Sequence, residues 1–159
     1  MMRNGGSALG RAARAATAAA LTMLVVSGCS HGSNAPSRNP AESTSSALAN
    51  GRDIFETGKD ANGIAIVARQ RPLMASCAAC HRPDGSGGQR LPRHAVSADL
   101  RHHALVIAQK HPYTVALLER AISTGIDNEG QPLNPVMPRW RLSKRDLHDV
   151  ALYVFTDLK

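Results

Sequence analysis

The string Cys77-Ala78-Ala79-Cys80-His81 constrains this chain more than any other part of its 159 residues. On a helix, positions i, i+3 and i+4 share a face, so two thiols and an imidazole would project together from one turn. Cys-Xaa-Xaa-Cys-His reads as a c-type haem attachment site. Both thiols can reach the two vinyl-derived carbons of one porphyrin edge while His81 turns its imidazole toward the iron, and the alanines leave the ring room to lie close to the backbone. Two other readings compete. A zinc site wants about four ligands, and the only other cysteine is Cys29. A thioredoxin-type dithiol expects a buried apolar strand just before it, whereas Ala68-Arg69-Gln70-Arg71-Pro72 precedes this motif.

Composition points the same way. The length suits about one domain and excludes a large multidomain enzyme. Only five aromatics occur, Phe55, Tyr113, Trp140, Tyr153 and Phe155. So thin a core would be helped by a bulky non-protein group packed inside it. The formal charge of +7 invites a nucleic-acid reading. However, Arg3, Arg11 and Arg14 lie in a removable leader; without residues 1–28, 16 basic and 12 acidic residues leave +4. Scattered charge of that size and so few aromatics give no platform for stacking bases, and no nucleic-acid partner is expected.

The leader has a secretory layout. Residues 1–14 are basic and Gly/Ala-rich, and Ala15 to Val26 is apolar. Twelve helical residues span about 18 Å, short of the roughly 30 Å hydrocarbon core, which disfavours a spanning helix. Val26-Ser27-Gly28-Cys29 resembles the lipobox of bacterial lipoproteins, in which the cysteine is acylated and becomes the first mature residue. The resemblance implies a signal peptide over 1–28 and a chain tethered through Cys29 to a membrane it never crosses. Ser30 directly after Cys29 resembles lipoproteins sent to the outer membrane. Residues 30–46 are rich in Ser, Asn and Pro and lack any large apolar side chain, so residues 29–46 are expected to be a lipidated cysteine and a flexible tether. A seventeen-residue linker has a root-mean-square span of about 20–25 Å. The folded domain is then expected over 47–159.

Beside the attachment motif, Arg82-Pro83-Asp84-Gly85-Ser86-Gly87-Gly88 looks like the glycine-rich turn that follows the haem histidine in class I c-type cytochromes. The chain resembles that family over most of residues 47–159. The resemblance implies an all-α cytochrome c fold, three to five short helices wrapped around one haem c held through Cys77 and Cys80. It also implies a second axial ligand. Met74 sits one turn before Cys77, on the side of His81, and is expected not to reach the far face. Met137 stands 56 positions after His81 in Asn134-Pro135-Val136-Met137-Pro138-Arg139-Trp140, where flanking prolines hold the chain extended. A Met-Pro pair followed by an aromatic is similar to the family's distal-ligand loop. The metal ligands expected are therefore His81 and Met137. The alternatives are Met137 as core filler, or its replacement by His94, His102, His103, His111 or His148. His94, His102 and His103 sit among arginines with no recognisable ligand spacing and are expected on the solvated surface.

Three helical segments frame the motif. Ala47 to Thr57 carries Leu48, Gly51, Ile54 and Phe55 on one stripe. A segment from about Tyr113 to Thr124 turns Val115, Leu118 and Ile122 inward, with Pro112 at its entry and Gly125 as its stop. The last begins at Ser143, paired with Asp146 like a capping box, and continues with Leu147, Val150, Ala151, Val154, Phe155 and Leu158 at helical spacing. In the family the terminal helices cross closely through a glycine and aromatics, roles that Gly51, Phe55 and Tyr153 match. Two departures stand out. The stretch 56–76 is longer than in compact members, and Gly63–Ala68 within it suggests a short strand or hairpin without an assigned role. The proline whose carbonyl orients the haem histidine has no clean match, Pro92 being nearest.

With His81 and Met137 both on iron no coordination position is open, which favours electron transfer over catalysis. The expectation is a lipid-anchored, monohaem electron carrier facing the periplasm. It would pass electrons from a dehydrogenase or quinol-oxidising complex toward a terminal oxidase or reductase. The rivals are a ligand-binding or peroxidase-like haem protein with Met137 off the iron, a haem-free thiol oxidoreductase, and a fixed haem subunit of a membrane enzyme.

Overall fold

A computed structural model describes residues 40–159, with side chains from Ser43 onward. The expected signal segment, Cys29 and residues 30–39 of the expected tether lie outside the described residues.

Among the described residues four α-helices carry the fold: α1 (Pro40–Thr57), α2 (Ala78–His81), α3 (Val115–Thr124) and α4 (Lys144–Thr156), with a π-helical turn at His103–Ile107. The only strands among the described residues are β1 (Val67–Ala68) and β2 (Trp140–Arg141). The all-α expectation holds. No described helix is long and apolar enough to cross a membrane.

The first helix begins seven residues before the expected Ala47, so the tether reading is corrected for 40–46. Proline is tolerated at the first helical position because its missing N–H would have no intrahelical partner. Residues Ser43 to Ser46 are exposed and bury nothing. They extend a helix whose other half is already packed, and propagation needs no new nucleus. Composition reports only whether such residues can form a core, and they do not.

Helices α1 and α4 cross backbone to backbone. A Cβ on Gly51 would fall 2.1 Å from the carbonyl oxygen of Asp149 and 2.7 Å from Tyr153 Cβ, so only glycine lets the helices come this close. Beside the crossing, the Phe55 and Tyr153 rings pack with centroids 5.7 Å apart. All three residues meet as expected. A polar cluster pins the same crossing. Buried Asn50 donates through Nδ2 to Asp149 at 2.8 Å and to Asp146 at 3.0 Å, while its Oδ1 accepts from the Ala61 amide at 2.7 Å. The amide thus has partners for both its ends, and the buried Asp149 carboxylate is not left bare.

The other ends follow from local chemistry. Ser143 caps α4 by accepting from the Asp146 amide at 3.1 Å. Thr114 caps α3, accepting from the Leu117 amide at 3.2 Å. That cap sets the start of α3 at Val115 rather than Tyr113, because Thr114 is extended and a helix begins after its N-cap. Gly125 ends α3 as expected. Leu118, Ala121 and Ile122 from α3 and Val150, Ala151 and Val154 from α4 join Ile54 and Phe55 in the core.

The insertion is partly strand. Lys59 and Ala65 form a local bridge, but Val67 and Ala68 pair antiparallel with Arg141 and Trp140. Val67 and Ala68 therefore dock on the segment that follows Met137, a partner 74 positions away in the Val67–Arg141 register that local alternation could not reveal.

Candidate haem site

In α2 the amide of His81 donates to the carbonyl of Cys77 at 2.9 Å, closing a single helical turn. Cys77, Cys80 and His81 all line one cavity of about 230 Å³. Its walls are mostly apolar: Phe55 from α1, Leu105 from the π-helical turn, Leu118 and Ile122 from α3, Val154 from α4 and Trp140 from β2. The wall chemistry and the reactive turn at its edge both fit a flat, bulky, apolar group bound through sulfur.

The imidazole is held from behind. His81 Nδ1 lies 2.8 Å from the carbonyl oxygen of Ala98. A carbonyl only accepts, so the bond selects the tautomer with the proton on Nδ1 and leaves the lone pair on Nε2, as a metal-ligating histidine requires. Pro92, nearest by sequence, does not serve. Its carbonyl accepts from the Ala95 amide at 3.3 Å, within an exposed hairpin bridged at Arg90 and Val96.

The glycine turn explains why Ala98 is in reach. Gly87 donates to the carbonyl of His81 at 2.9 Å, Gly88 to Ser97 at 2.9 Å, and Leu100 to Gly85 at 2.7 Å, folding 97–100 back onto α2. Gly87 has φ +61°, and a Cβ there would fall 2.3 Å from the Ala98 oxygen. The turn expected to wrap the haem edge is thus packed against the segment that orients His81. Glycine at position 87 was the available signal; the acceptor itself, a backbone oxygen, leaves no mark on sequence.

Burial tunes the three groups toward neutral forms. It pushes the Cys77 thiol up to about 12, with the Cys80 thiol beside it adding to the rise. Burial also raises Cys80. It lowers the His81 imidazole, an effect partly opposed by the bond to Ala98. Both cysteines are free of a disulfide. The donor set therefore comprises two protonated thiols and a neutral imidazole.

Met137 lines the same cavity. Its loop is a tight turn in which the Met137 amide donates to the Asn134 carbonyl at 3.1 Å and the Val136 amide to Asn134 Oδ1 at 2.9 Å. Met74 also borders the cavity, though it is 45% exposed, so lining alone does not separate the two thioethers. His94, His102, His103, His111 and His148 are exposed and none lines the cavity. His102 packs edge-on to Phe155, and His148 pairs with Glu119 at 2.9 Å.

Short helices folded around an apolar cavity, with a Cys-Xaa-Xaa-Cys-His turn at its wall, define a protein built to hold haem covalently. The Cytochrome c family model matches residues 48–156, and the chain belongs to that family. No curated protein gives a match to it. Membership implies covalently bound haem c, for which Cys77 and Cys80 have the required spacing, and the work of an electron carrier rather than of a conventional enzyme.

Proposed function

We propose that the protein is a lipid-anchored, monohaem electron carrier on the periplasmic side of a bacterial membrane, with iron ligated by His81 and Met137. One contrast carries the ligand assignment: Met137 borders the cavity half-buried, on a loop 56 positions after His81, whereas Met74 is 45% exposed only three positions before Cys77. When bound, haem supplies a one-electron Fe(II)/Fe(III) couple, which a thioether ligand biases toward the ferrous state. The chain does the rest. Cys77 and Cys80 fix the porphyrin edge by thioether bonds, so a small domain cannot lose it by dilution. His81 presents Nε2 because Ala98 holds Nδ1. Leu105, Leu118, Ile122 and Trp140 exclude water from the cavity, which keeps reorganisation small when charge changes.

Were His81 and Met137 both to hold the iron, substrate could bind only by displacing one of them, and transfer to other redox proteins would be the chemistry left. A dehydrogenase or quinol-oxidising complex would be the donor, and a terminal oxidase or reductase the acceptor. The lipobox-like run ending at Cys29 supports the anchor.

The test is a visible spectrum of protein from a maturation-competent host, oxidised and reduced, for the wild type and for Met137→Ala and Met74→Ala. The expected result is a sulfur-to-iron charge-transfer band present in the wild type and in Met74→Ala and lost in Met137→Ala. Colourless protein overturns the whole reading, and a band that survives in Met137→Ala overturns the ligand. Fast, tight carbon monoxide or imidazole binding by the wild type would favour an open haem site instead.

A further inference from the structure

Arg139 is the most heavily used side chain in the Met137 loop. Its Nη2 donates to the Leu133 carbonyl at 2.8 Å, and its Nη1 to the Asn134 carbonyl at 3.2 Å and to the Met137 carbonyl. A single planar fork therefore holds the carbonyls at both ends of the turn that presents Met137. The fork sits where a side chain at Gly125 would be: a Cβ there would fall 1.8 Å from Arg139 Nε and 2.1 Å from Cζ. The Leu133 amide in turn donates to the Gly125 carbonyl at 2.8 Å. The end of α3, the guanidinium and the loop form one packed unit.

The insertion closes the unit from the other side. Gln70 Nε2 donates to the Met137 carbonyl at 3.3 Å, and Gln70 Oε1 accepts from the Arg139 amide at 3.3 Å. The Arg69 amide donates to the Arg139 carbonyl at 2.7 Å, continuing the β1–β2 pairing. The Met137 carbonyl is thus claimed by two side chains, one from its own loop and one from 67 positions upstream.

We propose that Arg139, supported by Gln70, is the positioning residue that keeps the Met137 thioether on the iron, and that the 56–76 insertion braces this loop through residues 67–70. The proposal rests on the His81/Met137 reading. Its physical basis is entropy: a ligand on a free loop must be ordered each time it binds, whereas a loop held at three carbonyls has lost that freedom already. Lysine cannot substitute, because a point ammonium lacks the planar fork that spans two separated carbonyls.

The experiment uses the full haem-loaded chain as wild type, Arg139→Gln, Arg139→Lys and Gln70→Ala. It measures covalent haem content, the pH midpoint at which the ferric charge-transfer band disappears, and hydrogen exchange at the Leu133 and Met137 amides. Wild-type haem content is expected throughout. Both Arg139 variants should raise the ratio of off-iron to on-iron forms by about tenfold or more, the scale of one lost charge-assisted hydrogen bond, moving the midpoint down by about one pH unit. Both should speed exchange at the two amides. Gln70→Ala, at an exposed position, should shift both readouts the same way by less, and it carries the test alone if the Arg139 variants do not fold. An unmoved midpoint in all three variants, with the band intact in the wild type, overturns the positioning role and leaves the ligand reading standing. A wild type without the band overturns both. Rescue by Arg139→Lys would show that charge, not the fork, matters and would also defeat the proposal.

Discussion

The imidazole of His81 is oriented by the carbonyl of Ala98, 2.8 Å from Nδ1, and the Ala98 carbonyl is in turn packed against Gly87. An imidazole nitrogen, a backbone oxygen and a glycine without room for a methyl group form one chain of contact. With His81 on iron as proposed, the bond would raise its electron-donating power and so stabilise the ferric state.

Gly87→Ala should disturb that chain first. The new Cβ would need the space 2.3 Å from the Ala98 oxygen, and φ +61° is unfavourable for alanine. Displacing the carbonyl weakens the bond to His81, so the reduction potential should rise. Stability should fall by about 1–3 kcal/mol. Redox titration and denaturant unfolding measure the two effects; a potential at or below the wild-type value would sink the assignment of Ala98.

The α1–α4 crossing offers a second check. Gly51→Ala gains about 1 kcal/mol of helix propensity, yet the methyl group would lie 2.1 Å from the Asp149 carbonyl oxygen. Backbone cannot yield as a flexible side chain does, so separation of the helices should cost more than propensity returns. A net loss of about 2 kcal/mol is expected by denaturant unfolding, with haem content preserved. A more stable variant would mean that the helices do not cross in contact at Gly51.

The thiols make a prediction about the haem-free chain under native conditions. With its pKa pushed up to about 12, Cys77 has only about one part in ten thousand thiolate near pH 8, and the thiolate is the species that reacts. Cys80 is raised as well but less, so iodoacetamide should label Cys80 before Cys77. Because both values are raised, each rate should keep climbing with pH past the ordinary thiol range before it levels. Peptide mass spectrometry reads the order, and preferential labelling of Cys77 would contradict the stronger rise of its thiol.

Much of the fold was legible because it is written in short-range terms. The helical stripes of α1 and α4, the Ser143 cap and the Gly125 stop each depend on residues within a turn or two of one another. The helical state of Pro40–Ser46 is not legible for the complementary reason: composition records whether a segment can bury a core, and an exposed extension of a packed helix needs none. The π-helical turn at His103–Ile107 carried no periodic signal in five residues. Pro92 was the nearest proline but the wrong carbonyl. Arg139 was visible only as a cation beside a tryptophan.

By itself, then, the sequence determined the reactive turn. Cys77, Cys80 and His81 share a face because helical geometry over five residues demands it, whatever surrounds them. It also singled out Met137 through the residues on either side. Only the tertiary structure decided what holds those groups in place: Ala98 behind His81, and Arg139 with Gln70 around the Met137 loop. The reason is that these supports act through backbone carbonyls. Every residue carries one, none is distinguished by its letter, and which of them meets a given donor depends on how distant segments pack.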